Sequence, residues 1–198
     1  MRLSVLIGAL ALCVTANAAE IDTVAQKLTG TQGSFTQRFT PKGFKNSQIE
    51  SGTVIFGNLP QMRFNYSKPE EKVFIFDGKK SWFYVPADKQ VTVGEIDDQK
   101  RSELPFLLIG DAASRDRNFV VTEKTSGKTV ITTLQPRNAS ATVRNVAITS
   151  QDHRLQKVEY TDRDGNRTSF EFSGFSYLGV LPQFTFNPPP GVQVMQAQ

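Results

Sequence analysis

Past residue 30 the apolar side chains recur at every second position, in short runs that begin about ten residues apart and end in turn formers. Phe35 and Phe39 alternate with polar neighbours, as do Val54 and Phe56, then Met62, Phe64 and Tyr66. Val73-Phe74-Ile75-Phe76 is apolar at both parities; Trp82 and Tyr84, then Val91 and Val93, follow. Gly57-Asn58-Leu59-Pro60, Asp77-Gly78 and Pro86-Ala87-Asp88 separate the runs. Such a chain predicts an antiparallel meander, because strands this short are most simply joined by tight hairpins. Further strands are expected over 117–123, 128–134, 141–148, 153–161 and 167–175, with Ser126-Gly127 and Asp164-Gly165 as turns. A last strand over 182–187 should run into the Pro-rich tail, which cannot continue a ladder.

Two segments depart from this period. Ile21, Val24, Ala25 and Leu28 fall at helical spacing, so a short amphipathic helix is expected over 20–29, ended by Gly30. Ser102-Glu103-Leu104-Pro105 resembles a helix start, with Pro105 in the first turn and Gly110 as the stop. Leu104, Phe106, Leu107, Leu108 and Ile109 crowd every side of that second helix.

The N-terminus sets the compartment. Arg2, an apolar stretch from Leu3 to Val14 and the small residues of Ala16-Asn17-Ala18 form a signal-peptide layout, cleaved before Ala19. Residues 1–18 are thus read as a leader and 19–198 as one mainly β domain of about 180 residues, large enough for a real core. The only cysteine, Cys13, follows Leu12 inside the apolar stretch, so it is read as part of the leader rather than as a lipidation site. Without Cys13 the chain has neither a disulfide nor a thiol nucleophile. Losing Arg2 from 23 basic and 19 acidic residues leaves a net charge of +3, interspersed and without a basic stripe, which argues against nucleic acid.

Chemistry-bearing residues are scarce. His153 is the only histidine, in the charged run Gln151-Asp152-His153-Arg154, and is read as a surface residue. No Gly-x-Ser-x-Gly, phosphate-binding glycine loop or spaced metal-ligand cluster is present. Asp97-Asp98 and Asp162-x-Asp164 lie in predicted turns, where Asp bonds its own backbone. No catalytic residue, metal or cofactor is expected. What is in excess is aromatic: 15 Phe, 4 Tyr and 1 Trp, more than a half-buried sheet needs. The all-round apolar helix at 104–109 is then either deeply buried or the lid of an apolar hollow.

Several motifs decide between these. Gly33-Ser34-Phe35-Thr36-Gln37, the Pro60–Pro69 segment with Met62-Arg63-Phe64-x-Tyr66, Asp77-Gly78-Lys79-x-x-Trp82-x-Tyr84, Leu104–Gly110 and Phe184-x-Phe186-x-x-Pro189-x-Gly191-Val192 occur in this order. Together they resemble the periplasmic outer-membrane lipoprotein carriers, the LolA family, over nearly all of residues 19–198. The resemblance implies a half-open antiparallel β-barrel of about 11–12 strands, capped by two or three short helices around an apolar cavity. It implies a monomeric periplasmic carrier of a Gram-negative bacterium. Such a carrier takes acylated lipoproteins from an inner-membrane ATP-binding-cassette exporter and passes them to an outer-membrane receptor.

On this reading the acyl-chain cavity is walled by Val54, Phe56, Met62, Phe64, Phe74, Phe76, Trp82 and Tyr84. Leu104, Phe106, Leu107, Leu108 and Ile109 form the lid. The parity is open, since Val73 and Ile75 compete with Phe74 and Phe76. The family's lid-restraining arginine is absent: Asn58 stands nearest its place and is the candidate latch. Three other readings remain. They are an anchored receptor of the same fold, which would need an acylated Cys13, a paralogous carrier of other lipids, and a lipid hydrolase.

Overall fold

A computed structural model of the chain describes residues 19–97, 100 and 104–197. The expected leader with Cys13, and Asp98, Ser102 and Glu103, lie outside the described residues. Helix α1 (Ala19–Leu28) buries Ile21, Val24 and Leu28 along one stripe, with Glu20 and Asp22 in its first turn and Lys27 in its last, as the helix dipole favours. Gly30, at φ 77, turns the chain into the first strand.

Six strands follow as a meander: β1 (Thr31–Thr40), β2 (Gln48–Phe56), β3 (Met62–Lys68), β4 (Lys72–Phe76), β5 (Lys80–Val85) and β6 (Gln90–Glu95). Helices α2 (Leu107–Gly110) and α3 (Ala112–Asn118) interrupt it. A second meander comprises β7 (Phe119–Ser126), β8 (Thr129–Pro136), β9 (Val143–Gln151), β10 (Arg154–Asp162) and β11 (Arg167–Tyr177). Antiparallel pairing of β1 with β11 joins the meanders into one curled sheet, which β12 (Gln193–Gln196) extends. The order is β12-β6-β5-β4-β3-β2-β1-β11-β10-β9-β8-β7, so the sheet stays open between β12 and β7. The helices pack on its inner face, where α1 touches α2, β8 and β10, and the main core lies between them. No helix among the described residues is long and apolar enough to cross a membrane.

Three expectations need correction. Residues 182–187 form no strand; the final strand lies beyond the prolines and pairs in parallel with β6, Gln193 opposite Gln90. The chain crosses from β11 to the β6 edge of the sheet, and proline is excluded from the ladder but not from the crossing that precedes it. The apolar segment at 104–110 is helical only from Leu107, and Pro105 precedes the helix rather than opening it. Residues 117 and 118 belong to α3, whose N-cap Asp111 accepts a hydrogen bond from the Ser114 amide at 2.9 Å.

Candidate functional site: an aromatic hollow and its helical lid

Residues directly opposite in an antiparallel pair share a face, and the register therefore fixes parity. Val54 lies opposite Phe64 and Phe64 opposite Phe74; Phe56 lies opposite Met62 and Met62 opposite Phe76. These six side chains face inward, and all but the half-buried Phe74 are buried. Phe35 opposite Phe172, and Gln37 opposite Phe170, extend the same face across the seam between the two meanders. Phe35 meets Phe64 and Tyr66 edge-on at centroid distances of 5.1 and 4.9 Å.

The lid enters this ring of rings. Phe106, just ahead of α2, stands perpendicular to Phe170 at 4.5 Å and lies 5.3 Å from Phe64 and 6.1 Å from Phe172. Leu107, Leu108 and Ile109 are buried behind it, and Leu104 packs on the core from the edge. Gly110 ends the lid against Leu59: a Cβ there would stand 2.6 Å from the Leu59 Cβ, so only glycine permits this close approach. Phe106 thus packs into the centre of the sheet's inner face.

Trp82 and Tyr84 do not belong to the wall. Trp82 pairs with Ile75 and Tyr84 with Val73, on the outer face. There the C-terminal segment covers them: Phe186 lies 4.8 Å from Tyr84, and Ile75, Val91 and Phe184 form a buried layer separate from the main core. Strand β5 instead turns Phe83 inward, opposite Phe74 and 40% exposed at the rim of the hollow. Both faces of β4 are covered, so apolar residues stand at both parities and alternation could not choose between them.

Asn58 is exposed, and its carbonyl accepts from the Gln61 amide at 3.1 Å within the β2–β3 turn. The lid carbonyl that receives a buried side-chain donor is that of Leu108, bonded at 3.2 Å by Arg115 of α3. Arg115 is 1% exposed; its other amino group donates to Asp22 of α1 at 2.7 Å, and its Nε lies 3.5 Å from Asp116. One guanidinium thus ties α1, the lid and α3 together.

At the far end of the hollow the face turns polar. The Tyr66 hydroxyl donates to Gln37 Oε1 at 2.8 Å, and Lys72 pairs with Glu50 while its ammonium lies 5.3 Å from the Tyr66 ring centre. Burial, reinforced by the negative charge of Glu50, raises the Tyr66 pKa far above its ordinary value. Two clefts of about 490 Å³ open elsewhere, and no expected wall residue lines either.

The His153 Nδ1 lies 2.7 Å from Glu20 Oε2, and the Ser150 hydroxyl donates to the other oxygen of Glu20. Ser150 and His153 thus engage different oxygens of one carboxylate, which differs from a serine–histidine pair oriented by a third group. No cluster of three potential metal ligands of the His, Cys, Asp or Glu type occurs among the described residues.

The family model of the outer membrane lipoprotein carrier protein LolA matches residues 26–188. The chain belongs to the LolA family. Outer-membrane lipoprotein carrier proteins of Methylibium petroleiphilum and Xanthomonas campestris are 30% and 29% identical to it, covering 93% and 87% of this chain and 95% and 83% of their own. A solved structure of an uncharacterized conserved protein from Thermus thermophilus shares the fold, with a TM-score of 0.55 at 14% identity over 92% of this chain and all of its own. Within this LolA-family chain, sequence reasoning missed Phe35, Phe170 and Phe172 as inward rings, although their alternation with polar neighbours was visible. It also missed Arg115, which no local pattern distinguishes from the other charged residues of α3.

Proposed function

We propose that the protein carries lipoproteins across the periplasm, sheltering their acyl chains between the inner face of the sheet and the lid. In this reading it receives them from an inner-membrane ATP-binding-cassette exporter and delivers them to an outer-membrane receptor. The observation that carries the proposal is the seating of Phe106 among Phe64, Phe170 and Phe172. A lid that fills the hollow with its own side chain vacates an apolar space when it swings away. Each buried methylene contributes about 0.8 kcal/mol, so an acyl chain of about fifteen carbons would cost roughly 12 kcal/mol to leave in water. Rings and aliphatic side chains impose no directional bonds on such a chain, which suits a carrier that must also let go. The lid's one-turn helix is far too short to be stable alone, so its position depends on its buried residues and on Arg115.

The test is release of newly made lipoprotein from spheroplasts supplied with purified protein. Phe64→Glu and Leu107→Glu place a carboxylate in the hollow and should abolish release. Phe74→Glu, at a half-buried position that leaves the fold intact, should reduce it severely. Release at the normal rate by variants with native circular dichroism would remove the hollow from the mechanism.

A further inference from the structure

The β1–β2 hairpin holds two apolar side chains out in water: Phe44 is 68% exposed and Ile49 50%. The tip is a defined turn, with the Phe44 amide bonded to the Pro41 carbonyl at 3.1 Å and the Thr40 and Ser47 hydroxyls 2.8 Å apart. It is fastened to the β10–β11 turn, where the Lys42 amide donates to Asn166 Oδ1 at 3.0 Å. The Lys42 stem also lies along Gly165, whose Cβ, if present, would be 3.0 Å from the Lys42 Cδ.

Beside this tip one of the two clefts opens on the outer face, and its charged lining is Arg38, Lys45, Lys157, Arg167, Glu159 and Glu171. Arg144 braces the adjoining turn by donating twice to the Arg163 carbonyl, at 3.1 and 2.7 Å. With Lys42, Arg144 and Arg163 added to the cations, and Asp162 and Asp164 to the carboxylates, the cleft and its adjoining turns hold seven positive and four negative groups, of which Lys157 and Glu159 pair at 2.8 Å, a surplus of +3. That equals the net charge of residues 19–198 as a whole.

We propose that this end of the sheet docks on an anionic phospholipid bilayer. Phe44 enters the interface, while Lys42, Lys45, Arg38 and Arg167 engage lipid phosphates. A ring projecting from a convex tip needs a deformable acceptor, and lysines on either side of it keep their ammonium groups at phosphate level on flexible stems. The proposal concerns the outer face and does not depend on what the hollow carries.

Co-sedimentation of the purified protein with vesicles tests it. Vesicles of equal parts phosphatidylglycerol and phosphatidylcholine should pellet the protein at low salt and lose it as salt rises; pure phosphatidylcholine should not pellet it. Phe44→Ser should weaken partitioning about tenfold or more. Lys45→Gln and Arg167→Gln should each weaken it roughly fivefold, the effect of one cation near such a surface. These side chains lie on the surface, so circular dichroism should not change. Failure to pellet with phosphatidylglycerol, or equal binding by Phe44→Ser and the unaltered protein, overturns the proposal. Displacement by polyglutamate with Phe44 dispensable would overturn it in favour of an acidic protein partner, and displacement by inorganic phosphate alone in favour of a small-anion site. The vesicles contain no lipoprotein, so the outcome is separate from that of the release assay.

Discussion

Arg115 shows how one buried side chain can hold three helical segments together. Its charge is buried, with Asp22 as its nearest hydrogen-bonded carboxylate and the Leu108 carbonyl as the other partner. Asp22 is half exposed and can return to water, whereas the Leu108 carbonyl cannot. Arg115→Met should therefore lower stability to denaturant by about 1–3 kcal/mol, the cost of leaving a buried acceptor unpaired. Amide hydrogen exchange in 107–110 should rise more than exchange in the strands. Arg115→Lys should recover little, because an ammonium cannot fork between Leu108 and Asp22. Equal acceleration everywhere would mean that Arg115 supports the fold and not the lid in particular. Tyr66 makes a second residue-level demand. Its folded-state pKa lies above the unfolded value near 10, so its contribution to stability is complete below pH 10 and is lost as pH rises beyond it. Denaturation midpoints should fall between about pH 10 and 11.5 in the unaltered protein and fall less in Tyr66→Phe, which has no proton to lose there. Neither demand was legible in the sequence: the ties run between residues far apart in the chain, and no spacing rule connects Arg115 to Asp22 or Tyr66 to Gln37.

Among the elements, the C-terminal segment does more than end the sheet. Phe184 is buried, and it lies so close to Gly57 that a Cβ there would stand 2.5 Å from its ring. With Phe186 and β12 it covers the outer face of β4–β6, which is why Trp82 and Tyr84 turn away from the hollow. Phe184→Ala should cost about 3–5 kcal/mol in denaturant unfolding, as for other buried phenylalanines. It should raise exchange at the lid amides as well, since Phe184 packs on Gly57 and the lid's Gly110 on Leu59 of the same turn. Strand existence was well marked for β1 to β11 by alternation and turn residues, and Asp77-Gly78 and Ser126-Gly127 stand where hairpins close. What failed was parity in β4 and β5, where consecutive apolar residues serve two buried faces. The last strand failed for a different reason: Gln193-Val194-Met195-Gln196 is short, exposed and carries no apolar alternation, and it is a strand because β6 offers an edge just past the Pro190-Gly191 turn.

At the scale of the whole molecule, the amphipathic faces of the two meanders and the three helices agree on one inner core, and this is the level at which the sequence was most readable. Period-two runs with one apolar face demand a cover, and α1, α2 and the residue ahead of α2 provide it. The way the meanders join was not readable, because nothing local in β1 names β11 as its neighbour. That seam has a consequence for the order in which the protein can be made. Thr31 faces Tyr177 and Phe35 faces Phe172, so the first strand synthesised waits for the eleventh before it has a second neighbour, and β6 waits for the last residues of all. The inner ring of aromatics, which includes Phe170 and Phe172, is therefore complete only once β11 has been made. The hairpins from β2 to β6 pair with sequence neighbours and need no such wait, so closure of the seam is the step that depends on the far end of the chain.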